Sequence, residues 1–190
     1  GEILGATVDR LDLSQPLSDD TLGEVLAALG AHGYLRFPGQ TLEAVQLKAF
    51  AERFGDIQQG VAKPSKHVDC PGVGILSNIK AEGEYIGAPD FGQDWHTDMT
   101  YRDVMGFVNV LYGIKVPVRD GKVLGGTEFA NTHMAYDALP ERMKTDLADA
   151  VVVHNFEKLW EFMRQERGSS RPPMSDEQRR SRPPVGHPLF

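Results

Sequence analysis

At 190 residues, with 41% hydrophobic and 25% charged side chains, the chain suits one domain of ordinary globular composition with a buried core. Its net charge of −7 argues against nucleic acid as the main partner. No apolar run reaches the roughly 18 residues that span a bilayer, no leader peptide is visible, and a single cysteine, Cys70, leaves no internal disulfide and fits a reducing cytoplasm.

Ser18 reads as an N-cap, with Asp19 and Asp20 in the first turn where the helix dipole favours acid. Leu22, Val25, Leu26 and Leu29 then repeat at helical spacing, which predicts a helix to about Ala31 that Gly33 ends. Tyr34–Phe37 reads as a short strand and Pro38-Gly39 as a turn. Thr41 is the expected cap of a second helix, with Gly55 its stop. The pattern then turns β-rich. Val73–Ser77 reads as a strand, 82–93 as a glycine-studded loop, Trp95–Tyr101 as an alternating strand, and Phe107–Val116 as a longer one. Lys122–Ala130 reads as a turn feeding another strand. Asn131–Leu147 is predicted helical, with Pro140 opening a second piece; Ala150–His154 reads as a strand and Phe156–Arg167 as a helix.

Residues 164–190 hold six arginines, three acidic residues and five prolines. This composition predicts a flexible, basic surface segment, and a mobile flap over a site also fits. A nucleic-acid arm fits less well, because the arginines lack interleaved aromatics. The start at Gly1 and the apolar finish Val185–Phe190 read as a segment of a longer protein. Helices followed by glycine-broken strands point to an α+β, mainly β, single domain over 1–190 with a sheet sandwich.

The chemistry centres on Asp94-Trp95-His96-Thr97-Asp98-Met99-Thr100-Tyr101. On a strand, His96 and Asp98 share a face, and an imidazole beside a carboxylate is two thirds of a 2-His-1-carboxylate iron site. The pattern is weak alone: six histidines and 15 aspartates in this chain give about half a chance match. His67-Val68-Asp69, before Cys70, is such a match. It reads as a solvated turn, with a metal site of His67, Asp69 and Cys70 as the competing reading. For His96 and Asp98 the residues alone leave two readings open, half a metal site or a surface pair on an edge strand. His32 lies at a helix end, and His133 and His154 lack partners at ligand spacing. No Gly-x-Ser-x-Gly elbow occurs, and Gly125-Gly126-Thr127 lacks the lysine of a phosphate loop.

Gly87-Ala88-Pro89, Trp95–Tyr101, Gly125-Gly126-Thr127-Glu128-Phe129-Ala130-Asn131 and Ala135–Pro140 together resemble the taurine / 2,4-dichlorophenoxyacetate dioxygenase family. Leu11–Leu17, His32-Gly33, Arg53-Phe54-Gly55, Arg182-Pro183-Pro184 and His187-Pro188-Leu189 extend the likeness over the whole chain, in the family's order. The resemblance implies a double-stranded β-helix, or jelly roll, with flanking helices, incomplete at its C-terminus. It implies an Fe(II)- and 2-oxoglutarate-dependent dioxygenase that hydroxylates a small, anionic organic substrate with O2 and releases succinate and CO2. His96 and Asp98 map onto two iron ligands, Thr127 onto the threonine that contacts 2-oxoglutarate, and Met99 onto main chain beside the substrate. Trp95 is expected to pack beneath the strand.

The family's distal histidine ligand and the arginine that pairs with 2-oxoglutarate map beyond residue 190, and His187 matches an earlier segment than that histidine. Residues 1–190 alone are therefore expected to bind iron weakly and to be inactive. Taurine-oxidising members carry a substrate histidine after the segment matching Phe54-Gly55, where this chain has Asp56-Ile57-Gln58-Gln59-Gly60, which counts against taurine. A homo-oligomer is compatible with the family. The alternative is a non-catalytic jelly-roll binding module that has lost its iron site.

Overall fold

The computed structural model describes residues 4–58, 69–89, 92, 94–169 and 171–190. In chain order the elements are β1 (Ala6–Thr7), α1 (Asp19–His32), β2 (Leu35–Arg36), α2 (Ala44–Glu52), β3 (Lys80–Ala81), β4 (Glu84–Tyr85), β5 (Val118–Arg119), β6 (Lys122–Val123), α3 (Thr132–Asp137), α4 (Glu141–Asp146), β7 (Val151–His154), α5 (Phe156–Gln165), α6 (Asp176–Arg180) and β8 (Val185–Pro188). They fall into two compact units, 1–74 with 108–137, and 75–107 with 138–190. Each is built from two stretches of sequence, so neither could be read as a sequential domain.

In the first unit, α1 forms as its sequence predicts. The Ser18 side chain accepts from the Thr21 amide, and Gly33, at φ 76°, closes the helix with its N–H on the Leu29 carbonyl. Tyr34–Phe37 narrows to β2, which pairs parallel to β1 with Ala6 opposite Leu35. The second helix starts later than expected from Thr41. The Leu42 amide donates to the Tyr112 hydroxyl at 3.2 Å, and the Glu43 amide to Gln46 Oε1 at 2.8 Å. These bonds tie down the chain just before the helix, and α2 begins at Ala44 with Glu43 as its N-cap. Phe50 is buried between Phe37 and Phe54, edge to face with both. Asp120 and Gly121, both at positive φ, turn β5 into β6 as the two residues of a tight hairpin.

In the second unit, Glu82 and Gly83 at positive φ make a similar hairpin from β3 to β4, which overlaps the start of the stretch 82–93 expected to be loop. β7 and β8 pair antiparallel over four residues, from Val151 opposite Pro188 to His154 opposite Val185. Asn155 caps α5, its side chain accepting from the Lys158 amide. That helix buries Phe156 and Trp160, one turn apart on one face. Residues after 165 fold back on it. Trp160 Nε1 donates to the Pro172 carbonyl at 2.7 Å, the Arg171 guanidinium lies 4.9 Å from the Trp160 ring, and Arg179 reaches Glu157 at 2.7 Å. Met174 is buried at 3% exposure. The stretch expected to be a flexible segment thus carries α6, β8 and the cover of Trp160.

Among the described residues the helices hold more of the chain than the strands, six of the eight strands are two residues long, and no closed barrel forms. The helical half of the α+β expectation is met; the β-rich half is not drawn as long strands. Phe107–Val116, predicted to be a strand, has no regular structure, and Phe107, Leu111 and Ile114 are exposed. Val73–Ser77 contributes only a bridge between Leu76 and Ala88. A strand needs a partner for its backbone groups. β7 finds β8, whereas 107–116 meets no strand among the described residues. No helix among these residues is long and apolar enough to cross a membrane.

Candidate functional site

Residues 95–101 do not form the predicted strand; the chain is irregular through Thr97 and turns over 98–101. Met99 adopts φ 61°, a left-handed conformation uncommon outside glycine, and the Arg102 amide bonds back to the Met99 carbonyl at 3.1 Å. A turn therefore achieves what alternation on a strand was expected to do. His96 Nε2 and Asp98 Oδ1 lie 3.2 Å apart, and both side chains are half exposed, at 52% and 53%. Trp95 is 69% exposed rather than packed beneath a strand, because there is no strand to cover it.

The His96 ring is held from its other side. Nδ1 lies 2.6 Å from the Asp94 carbonyl oxygen. A carbonyl can only accept, so Nδ1 carries the hydrogen and Nε2 is directed at Asp98. An imidazole nitrogen and a carboxylate oxygen 3.2 Å apart can share one cation, and a metal ion is such a cation. Donors about 2.1 Å from a metal and at right angles to each other stand about 3 Å apart, so the observed spacing is close to that of adjacent ligands.

Three contacts that sequence spacing does not reveal support this turn within the second unit. Arg167 Nη2 lies 2.7 and 2.6 Å from the two Asp94 carboxylate oxygens. His187 Nε2 donates to the Arg102 carbonyl at 2.9 Å, which gives this β8 histidine a structural partner. Tyr101 packs on Phe156 with ring centroids 4.6 Å apart, and its hydroxyl donates to Met99 Sδ. The partners lie 55 to 85 residues apart in sequence, and no motif spans such distances; only the acidity of Asp94 beside the histidine hinted at a brace.

Thr127, the candidate 2-oxoglutarate contact, is exposed on irregular chain in the first unit, whereas His96, Asp98 and Met99 belong to the second. His67 lies outside the described residues, so the alternative site at His67, Asp69 and Cys70 is represented only by exposed Asp69 and buried Cys70. His154 lies 5.6 Å from His187 between ring centres, across the β7–β8 pair. Among the described residues no three histidine, cysteine or carboxylate side chains are grouped as a metal site.

Residues 2–190 match the family model described as "Taurine catabolism dioxygenase TauD, TfdA family". An alkylsulfatase of Acinetobacter baylyi is 32% identical over 155 residues, covering 81% of this chain and 45% of that protein. The (S)-phenoxypropionate/alpha-ketoglutarate-dioxygenase of Delftia acidovorans is 34% identical over 152 residues, covering 74% and 48%. The crystal structure of AAD-2 in complex with Mn(II) and N-oxalylglycine superposes with a TM-score of 0.69 at 25% identity, over 98% of this chain and 64% of that one. The chain thus spans about half the length of these curated relatives. With the match running from residue 2 to residue 190, the chain belongs to the TauD/TfdA dioxygenase family.

Proposed function

We propose that residues 1–190 are part of an Fe(II)- and 2-oxoglutarate-dependent dioxygenase of jelly-roll type that hydroxylates a small anionic substrate. The observation that carries the metal assignment is the 3.2 Å spacing of His96 Nε2 and Asp98 Oδ1 on a turn that already fixes the ring's tautomer. His96 supplies a neutral imidazole nitrogen and Asp98 a carboxylate oxygen, two ligands on one side that leave the remaining positions to a third ligand, 2-oxoglutarate and O2. When bound, iron supplies the oxidising chemistry, coupled to conversion of 2-oxoglutarate to succinate and CO2. Thr127 is assigned to a 2-oxoglutarate carboxylate through its hydroxyl, and the Met99 main chain to the border of the substrate.

The substrate class rests on the relatives. One is named for alkyl sulfates and another for a phenoxypropionate, both organic anions with a C–H bond next to oxygen. Hydroxylation at such a carbon leaves a product that breaks apart, so sulfate esters and aryloxyalkanoates are the substrates to try first. The competing reading is a non-catalytic jelly-roll binding module that has lost its iron site.

Anaerobic titration with Fe(II), or with Mn(II) as its redox-silent substitute, separates the two. His96→Ala and Asp98→Ala are each expected to weaken binding at least tenfold, with His67→Ala unchanged. Loss of metal only in His67→Ala would overturn the assignment. Succinate release by the whole parent protein, driven by a sulfate ester or an aryloxyalkanoate, tests the reaction itself.

A further inference from the structure

We propose that Arg167 is a positioning residue for the iron site, acting through Asp94 on the ring of His96. The inference rests on the reading of His96 and Asp98 as iron ligands and extends it to residues that touch neither metal nor substrate. Asp94 has two roles at once. Its carbonyl takes the His96 Nδ1 hydrogen at 2.6 Å, and its carboxylate is held by Arg167 Nη2 at 2.7 and 2.6 Å. Holding the carboxylate restrains the residue whose carbonyl orients the ring, so Nε2 stays directed at the space beside Asp98.

Arg167 is itself well placed to act as a fixed point. It stands just past the C-cap of α5, its guanidinium lies 5.5 Å from the Phe162 ring, and Gly168 at φ 65° turns the chain so that the Ser169 amide bonds back to the Met163 carbonyl. The helix behind it is anchored by buried Phe156 and Trp160. The ion pair is part exposed, and pairs of that kind contribute little to folding. Its effect is therefore expected in the ring and the metal, not in overall stability.

Only one nitrogen of the guanidinium makes the contact, so a lysine ammonium can replace it. Long-range proton–nitrogen NMR of His96 in the metal-free chain at about pH 8.5, above the ordinary imidazole range, reports the tautomer directly. The wild type and Arg167→Lys are expected to show the Nδ1–H form, and Arg167→Ala a mixture with the Nε2–H form. Mn(II) affinity is expected to fall about tenfold in Arg167→Ala and to recover in Arg167→Lys. If Arg167→Ala fails to fold, Asp94→Asn, which keeps the carbonyl and removes the charge, carries the same expectations. An unchanged tautomer and unchanged Mn(II) affinity in a folded variant, with binding lost in His96→Ala, would overturn the brace and leave the iron site standing. Unchanged Mn(II) binding in His96→Ala would overturn the iron site, and the brace with it.

Discussion

Within the second unit, the segment 156–182 and the turn 94–102 are built by different physics. The first closes around Phe156 and Trp160, both buried, with an indole N–H on the Pro172 carbonyl and two guanidinium groups over the aromatic rings. Burial of large apolar rings dominates there. The second carries its two chemical groups half exposed, holds Met99 in a left-handed backbone, and depends on single polar contacts from distant chain. A turn that serves the site proposed above cannot be closed off as a core is, and its geometry has to come from directed bonds. The turn borrows rigidity from the segment through Tyr101 on Phe156 and Arg167 on Asp94.

The sharpest way to break this contrast is to remove the core of the segment. Trp160→Ala is expected to cost about 3–5 kcal/mol in urea unfolding and to abolish metal binding with it. A loss below about 1 kcal/mol would mean that the segment is not the anchor described here. His96→Ala should behave in the opposite way, with metal affinity falling at least tenfold while stability stays within about 0.5 kcal/mol, since the side chain is half exposed.

Smaller effects sharpen the comparison. Met99→Gly relieves a left-handed backbone that costs a non-glycine residue about 1–2 kcal/mol, against a glycine entropy cost of about 0.5–1. Because the Tyr101 hydroxyl also loses Met99 Sδ as its acceptor, a net change within about 0.5 kcal/mol is expected in thermal unfolding, together with weaker metal binding as the turn loosens. A gain in both properties would argue that the strain has no bearing on the site. Outside both regions, the Asp12 carboxyl is held below its ordinary value by hydrogen bonds from Ser14, side chain first and then amide. Its folded value being depressed, its contribution is present above the unfolded carboxylate range and is lost as pH falls through the folded value. Asp12→Asn should therefore lower stability slightly at neutral pH and leave it unchanged below the folded value, so the profile loses part of its slope across the acid range.

Local sequence carried the helices well. Ser18 with two aspartates, Gly33 after Leu29 and Pro140 before α4 are signals that act within one turn, where chain neighbours are also spatial neighbours. The hairpin at Glu82-Gly83 was less legible, because its strands are two residues long and give no alternation to read. The alternating stretch Trp95–Tyr101 misled in form, since alternation describes a strand only when a partner accepts its hydrogen bonds.

What the sequence determined by itself was the chemical inventory and its kin. His96 and Asp98 stand two apart in the company of Thr127 and the residues to Pro140, an order that matches the family from residue 2 to residue 190. What only the tertiary structure decided was how that pair is made to face one spot: a turn at Met99 rather than a strand, a ring fixed through Asp94, and an arginine 73 residues away in sequence holding Asp94 in place. The reason is one of range. Residue types and short spacings fix which groups are available, whereas direction at a half-exposed site depends on hydrogen bonds from chain that is remote in sequence and near only after folding.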